Sequence, residues 1–282
     1  MTAAVVPAGA SGEREDGRLT RHGPGLILEQ TAALAKRSIL GTARQPTVWF
    51  PGVFFPLMIA AVNSAALGKT TALPGFPPVD SFLQFLLPAT LIQGVLFGGI
   101  VAGADMALDV QDGFFERLVA SPVSRVSILL GRLAGSATLG AVQAVVFIGI
   151  FMLFGAEVEG GLPAILVLIL LAVILATAVG AWAAGLGLRT GSQEAVQNSF
   201  PLVFILLFMS SAFFPTSLMK GWYEAVAANN PLSWMINGAR ELVIEGFSWS
   251  AAFQTLAVAS VLLVLTVFFS TRSLQKRLRM GA

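Results

Sequence analysis

Residues 162–188 read LPAILVLILLAVILATAVGAWAAGLGL, a stretch of 27 positions without one charged side chain. An α-helix rises about 1.5 Å per residue, so this stretch is long enough to cross the roughly 30 Å hydrocarbon core of a bilayer. Of the 282 residues, 56% are hydrophobic and only 11% are charged. Soluble domains carry about 25% charged residues, so the composition predicts an all-α integral membrane protein.

Five further stretches have the length and apolar character of membrane spans, which gives six predicted transmembrane helices. In chain order the six spans are residues 48–67, 82–104, 128–154, 162–188, 195–214 and 251–270. Small residues four positions apart allow helices to approach closely, and we expect most of them to serve packing within the chain. These pairs are Gly94/Gly98, Gly99/Gly103 and Gly131/Gly135.

The placement of lysine and arginine predicts the orientation. With six spans, both ends of the chain lie on one side, and 14 of the 17 basic residues fall on that side. The other side holds only Lys69, Lys220 and Arg240. Because short cytoplasmic loops carry the excess of basic residues, both termini are predicted to be cytoplasmic.

Three segments outside the spans belong to this cytoplasmic side. Residues 1–25 and 276–282 are predicted tails, the first of them disordered because it is polar and charged. Residues 26–45 predict an amphipathic helix lying in the headgroup region, and a plain juxtamembrane linker is the alternative. On a helical wheel Leu28, Ala32, Ala35 and Ile39 share one face, opposite Gln30, Arg37 and Arg44.

Several classes of site are missing from the sequence. The chain has no cysteine, and its one histidine, His22, lies in the first tail, so no catalytic triad, zinc site or other metal site is predicted. The phosphate-binding loop of ATPases is absent as well, because Asn63 stands where Gly68-Lys69 would need a glycine. The span interiors hold almost no ionisable group, which makes an ion-coupled secondary multidrug transporter the weaker alternative. The basic residues sit at span ends, so no nucleic-acid partner is expected.

The segment 111–125, QDGFFERLVASPVSR, predicts a short cytoplasmic helix. Asp112 is a good N-cap, and Pro122 ends the helix. Phe115, Leu118 and Val119 form one apolar face. That face could fill the hydrophobic groove of a partner protein, or it could pack on the cytoplasmic ends of this chain's own helices.

The external connection, residues 215–248, is too long for a bare loop and is rich in aromatic residues. Trp222, Tyr223 and Trp234 favour short helices that lie at the outer interface or dip into it.

At these two places the sequence resembles the ABC-2 type permeases, and the closest similarity is to the bacterial daunorubicin-resistance type. The first motif is Glu116-Arg117-Leu118 followed by Pro122 and Arg125. The second is Phe213-Phe214-Pro215, then Trp222, Asn230-Pro231, Trp234, Arg240 and Gly246. The resemblance covers about residues 26–275, nearly the whole chain.

The resemblance implies the membrane subunit of an exporter in a bacterial cytoplasmic membrane. Two such subunits, identical or different, would work with two cytoplasmic ATPase subunits that bind ATP and Mg²⁺, and the cargo would be amphipathic or lipid-like. Residues 112–121 would be the coupling helix that docks on the ATPase, through Asp112, Phe114, Phe115, Glu116, Arg117, Leu118, Pro122 and Arg125. The re-entrant region would use Pro215, Trp222, Asn230, Pro231, Trp234 and Arg240. The substrate path would be lined by Phe54, Phe55, Phe97, Phe204 and Phe208.

Overall fold

A computed structural model describes residues 24–44, 46–121 and 123–280, and the predicted tail 1–25 lies almost wholly outside them. The described residues form helices joined by turns and short irregular segments. In chain order the helices are α1 (Pro24–Ala43), α2 (Pro46–Leu67), α3 (Phe82–Gln111), α4 (Phe114–Ala120), α5 (Arg125–Leu153), α6 (Gly161–Thr190), α7 (Gln193–Gln197), α8 (Phe200–Phe208), α9 (Trp222–Ala228), α10 (Pro231–Ile244) and α11 (Trp249–Met280).

Five of these helices are long and apolar enough to cross a membrane. They are α2 with the 3-10 turn that follows it, α3, α5, α6 and α11, and they confirm the helical membrane architecture. The helix α11 is longer than its predicted span, because the helix continues through Met280 into the segment predicted as a tail.

The fifth predicted span is not one continuous helix. Residues 195–214 were expected to cross as a unit, but α7 ends at Gln197 and α8 runs only from Phe200 to Phe208. Pro201 explains the first break, because it has no N–H to donate to the carbonyl of Gln197, and its ring would clash there. The fifth predicted span is therefore a broken helix, and the chain beyond Phe208 is irregular up to Pro215.

The helix α3 forms the centre of the molecule. Ninety-four per cent of its most apolar 18-residue window is buried, against 17% for α2 and for α11. Its glycines face neighbouring helices: a Cβ on Gly103 would lie 2.7 Å from the carbonyl oxygen of Gly180 and would also meet Ala183 on α6. Gly98 faces Gln143 of α5 in the same way. The expectation that these glycines serve internal packing is confirmed.

The helix α1 packs along the first half of α5. A Cβ on Gly131 would meet the Cβ of Leu34, and one on Gly135 would meet the hydroxyl of Ser38. Leu28, on the face predicted to be apolar, is 70% exposed, whereas Ser38, on the side toward α5, is buried. The placement of α1 in the headgroup region stays a prediction. Because Gly131 and Gly135 have no side chains, the face of α1 that carries Leu34 and Ser38 lies closest to α5. The sequence of α1 alone does not show which of its faces this is.

Candidate functional site

The turn between α3 and α4 is made by Asp112 and Gly113. Gly113 has φ +65°, a conformation that a residue with a side chain rarely adopts, and it occupies the N-cap position of α4. The prediction that Asp112 caps α4 was wrong. Asp112 instead ends α3, with its N–H donating to the carbonyl of Leu108 at 2.9 Å, because the chain turns one residue later than expected.

The apolar face of α4 packs on this chain itself. Phe115 is 2% exposed and joins a cluster of buried residues, and Leu118 and Val119 pack against that cluster. The other buried members of this cluster come from α3, α5, α6 and α11: Met106, Val110, Ile128, Ala184, Leu188 and Leu274. Of the two alternatives for this face, the structure therefore shows packing on the chain's own helix ends. The exposed side of α4 carries Glu116, Arg117 and Ala120.

Polar contacts fasten α4 to its neighbours from two sides. The guanidinium of Arg37 on α1 lies 3.8 Å from the ring centroid of Phe114, a cation–π contact. Arg277 on α11 forms an ion pair with Glu116 at 3.4 Å. The N–H of Ser124, just after α4, donates to the side-chain oxygen of Gln30 on α1 at 3.0 Å. A displacement of α4 would therefore be felt by both α1 and α11.

A charged cluster lies beside α4 at the same end of the bundle. Arg132 on α5 pairs with Asp109 and, at 3.5 Å, with Asp105, both on α3, and Arg37 reaches Asp109 at 3.6 Å. Only 13–19% of the side chains of Arg132, Asp105 and Asp109 is exposed. The cluster borders a cavity of about 230 Å³ that also touches Asp112 and Leu118.

The sequence alone did not predict this charged cluster. A signal was nevertheless present, because Asp105 and Asp109 stand four residues apart and so share one face of α3. Two predicted docking residues remain without side-chain geometry. Pro122 lies outside the described residues, and Arg125 begins α5 but its side chain is not described.

At the opposite end, α9 and α10 fold back against the end of α8. The side-chain amide of Asn230 donates to the carbonyls of Leu206 (2.8 Å) and Met209 (3.0 Å). The hydroxyl of Ser233 accepts the N–H of Ser211 at 2.9 Å, and Asn237 accepts from the hydroxyl of Ser211 at 2.8 Å. Backbone freed by the end of a helix inside a membrane needs such partners, and one polar face of α10 supplies them.

Arg240 completes this polar face. It is 5% exposed, and its guanidinium lies 3.7 Å from the centroid of the Phe85 ring on α3. It donates to the carbonyls of Phe85 (3.3 Å), Ser211 (3.0 Å) and Ala212 (3.4 Å). Positions 230, 233, 237 and 240 follow the helical repeat, so the stripe is visible in the sequence, whereas its partners on α8 and α3 are not.

The other predicted residues of this region lie around the same fold. Pro231 begins α10 directly after Asn230, which caps it, and Pro215 precedes the 3-10 turn Thr216–Leu218. The indole N–H of Trp234 donates to the carbonyl of Ala228 at 2.8 Å. Trp222 begins α9, is 71% exposed, and is positioned like an aromatic residue at a membrane interface.

Most of the phenylalanines predicted to line a substrate path form one row. Ring centroids lie 6.0 Å apart between Phe55 and Phe97, 5.9 Å between Phe97 and Phe204, and 4.6 Å between Phe204 and Phe208. Phe54 stands apart and stacks on Phe50. The row continues to Phe213, beside a cavity of about 430 Å³ between α2 and α8.

Among the described residues, one group of carboxylates has the spacing of a metal site. Oxygens of Asp80, Glu157 and Glu159 lie within 4.8 Å of one another, and all three residues are exposed. Exposed acidic residues commonly cluster without a cation, so the geometry alone assigns no ligand to this group.

Comparison with known proteins gives one consistent result. Residues 29–244 match the ABC-2 type transporter family. A daunorubicin resistance ABC transporter permease protein of Streptomyces coeruleorubidus is 29% identical over 210 residues, which are 73% of this chain and 72% of the relative. A protein of Mycobacterium tuberculosis named as a doxorubicin resistance ABC transporter permease is 24% identical over 221 residues, 78% of this chain and 79% of the relative. The family match spans three quarters of a chain whose described residues form a bundle of membrane-crossing helices, and this chain therefore belongs to the ABC-2 type transporter family as a membrane permease.

Proposed function

We propose that this permease is the membrane subunit of an exporter, driven by a separate cytoplasmic ATPase that docks on the exposed side of α4. The observation that carries the proposal is the mounting of α4. Its apolar side is buried among α3, α5, α6 and α11, while Glu116 and Arg117 face outward. Because α4 is packed against these four helices, a force applied to its exposed side would also displace the membrane helices.

The contacts of α4 define the route of that force. Through Phe114 and Arg37 it reaches α1, and through Arg37, Asp109 and Arg132 it reaches α3 and α5. Through Glu116 and Arg277 it reaches α11. ATP and Mg²⁺ would be bound by the ATPase, since this chain has no phosphate-binding loop.

Arg117 offers the cleanest test of the docking surface. Its side chain is exposed, and among the described residues its hydrogen-bond and cation–π partners are the carbonyl of Gly113 and, at 5.9 Å, the ring of Phe114. Arg117→Glu should reduce capture of the ATPase and permease-stimulated ATP hydrolysis about tenfold, while membrane insertion stays normal. Lys276→Glu, a charge reversal at an exposed residue of α11 at the same end, is the matched control. Full capture and transport by Arg117→Glu would refute docking at this surface.

The orientation follows from the same end of the molecule. The helices α1 and α4 and the far end of α11 lie together there, and this end carries the excess of basic residues. We therefore place this end and both termini in the cytoplasm of a bacterium, which agrees with the bacterial source of the two permeases compared above.

Two permease subunits, identical or different, are proposed to meet at α2 and α8. These helices expose a broad apolar face that includes Phe54, Met58, Val62, Leu202 and Ile205. Lipid would cover the same face in a monomer. The natural absence of cysteine allows a direct test, because a cysteine at Met58 should form a disulfide across a two-fold axis, whereas one at Phe253 on α11 should not.

The cargo is proposed to be amphipathic or lipid-like and to move along the phenylalanine row between α2, α3 and α8. Removal of a ring from the row, as in Phe204→Ala, should change transport rate or cargo preference. Phe253→Ala removes a ring that is 76% exposed on α11 and serves as the control. Equal transport in both variants would refute the path.

An ion-coupled carrier is disfavoured by the charged cluster. Such a carrier needs a carboxylate that can exchange its proton or ion, whereas Asp105 and Asp109 are both paired with Arg132. Transport by the purified permease without any ATPase would reverse this preference.

A further inference from the structure

A groove of about 340 Å³ separates α1, α2 and α5 on the perimeter of the molecule. Apolar side chains from all three helices line it: Ile39, Ala43, Trp49, Val53, Leu139 and Val142. Phe55, the member of the phenylalanine row on α2, does not line the groove, and the groove is separate from the charged cluster around Arg132.

The groove gives water few partners. Thr138, at its wall, donates its hydroxyl to the carbonyl of Ala134 at 2.9 Å. The amide nitrogen of Gln143 donates to the carbonyls of Gly94 (3.2 Å) and Gly52 (3.4 Å), while its Oε1 is buried without a hydrogen-bond partner among the described residues and is one free acceptor. A cavity needs several free polar groups to hold water, and an apolar surface without neighbours loses dispersion contacts. In a membrane, hydrocarbon is the substance that can fill this space.

Two basic residues flank the part of α1 that lines the groove. Lys36 precedes Ile39 by one turn of α1, and Arg44 directly follows Ala43 and still donates its N–H to the carbonyl of Leu40 at 3.1 Å. Both side chains are exposed. Among the described residues neither has a carboxylate within 4.0 Å, whereas the neighbouring Arg37 is paired with Asp109. Two free cations beside an apolar groove are complementary to an anionic amphiphile.

We infer that this groove binds one anionic phospholipid of the membrane, with an acyl chain between α1, α2 and α5 and its phosphate beside Lys36 and Arg44. Basic residues at the cytoplasmic ends of transmembrane helices attract anionic lipids, by an amount that falls within a Debye length. The lipid would restrict the movement of α1 relative to α2 and α5. Arg37 of this helix contacts Phe114 and Asp109. The leaflet is the cytoplasmic one in the orientation proposed above; the binding itself requires no ATPase.

The test compares lipids retained by the purified permease. The full chain is reconstituted with equal amounts of phosphatidylglycerol and phosphatidylcholine and then delipidated stepwise, and retained lipid is counted by native mass spectrometry. The parent chain should keep one phosphatidylglycerol. Val142→Trp fills the groove and should abolish retention. Val145→Trp is the matched control, because Val145 is one turn away, similarly exposed (58% against 53%) and outside the groove.

The charge component is tested separately. Lys36→Gln combined with Arg44→Gln leaves the groove open and should lower the preference for phosphatidylglycerol by about tenfold, at roughly 1 kcal/mol per basic residue reduced by screening. Lys69→Gln, at the other end of α2, should leave it unchanged. Equal retention by Val142→Trp and Val145→Trp overturns the proposal, as does an unchanged preference in the double variant. A change of oligomeric mass in Val142→Trp with lipid content unchanged would identify a second copy of the chain as the occupant and overturn it too. Because no ATPase is present, these results are independent of the docking test on Arg117.

Discussion

Arg240 is expected to hold the re-entrant region of α9 and α10 against α8 and α3. In Arg240→Met the carbonyls of Phe85, Ser211 and Ala212 each lose a donor. A buried carbonyl without a partner costs about 1–3 kcal/mol. Part of that sum is offset, because a buried cation no longer has to be desolvated, and we expect a net cost of about 3 kcal/mol.

The loss can be measured locally because the natural chain has no cysteine. Ala212→Cys places one thiol at a position that is 1% exposed in the structure. Each 1.4 kcal/mol lost from the closed state raises the open population about tenfold. Maleimide labelling of this cysteine should therefore be at least about a hundredfold faster in Arg240→Met than in the parent.

Two further variants interpret the labelling rate. Arg240→Lys should give an intermediate rate, because an ammonium is a point donor and cannot reach three carbonyls as the guanidinium fork does. Lys220→Met removes an exposed cation from the same region and should leave the rate unchanged. A rate for Arg240→Met within threefold of the parent would show that the polar stripe on α10 does not hold the end of α8, and the reasoning would be refuted.

Three other predictions address packing, the charged cluster and topology. Gly103→Ala should destabilise the permease by about 1–3 kcal/mol in thermal unfolding, because its Cβ would overlap the backbone of α6, while Gly149→Ala, with no atom within 4 Å of its Cβ, should be neutral or slightly stabilising. Arg132→Gln leaves Asp105 without a cation and Asp109 with Arg37 alone, and should therefore lower the midpoint of unfolding. A second change, Asp109→Asn, should restore part of it, and no restoration would mean that Arg132 and Asp109 do not interact. A cysteine at Lys220 should react with an impermeant reagent added outside intact cells and one at Gln275 should not, since both positions are exposed, and the reverse pattern would invert the proposed orientation.

The lengths of the apolar stretches and the distribution of basic residues are properties that the amino-acid sequence alone supplies. A helix needs about 20 consecutive apolar residues to cross the hydrocarbon core of a bilayer, and this requirement does not depend on neighbouring helices. For that reason the spans of α2, α3, α5, α6 and α11 could be recognised before any contact was known. The break in the fifth predicted span was not predicted, although Pro201 is visible in the sequence. The apolar composition continues across the break, and the hydrogen-bond partners of the freed backbone groups come from other helices.

Which face of each helix meets which neighbour was decided only by the tertiary structure. Phe115 and Leu118 form an apolar face in any helix, but burial against α5 and α11 removed them from the outer surface and left Glu116 and Arg117 there. Arg132 is isolated in the sequence, and only the packing of α3, α5 and α1 brings two carboxylates to it. The physical reason is the range of the forces: hydrophobic burial in a membrane acts on one helix at a time, whereas ion pairs, hydrogen bonds and close glycine contacts act over a few ångströms between helices distant in sequence.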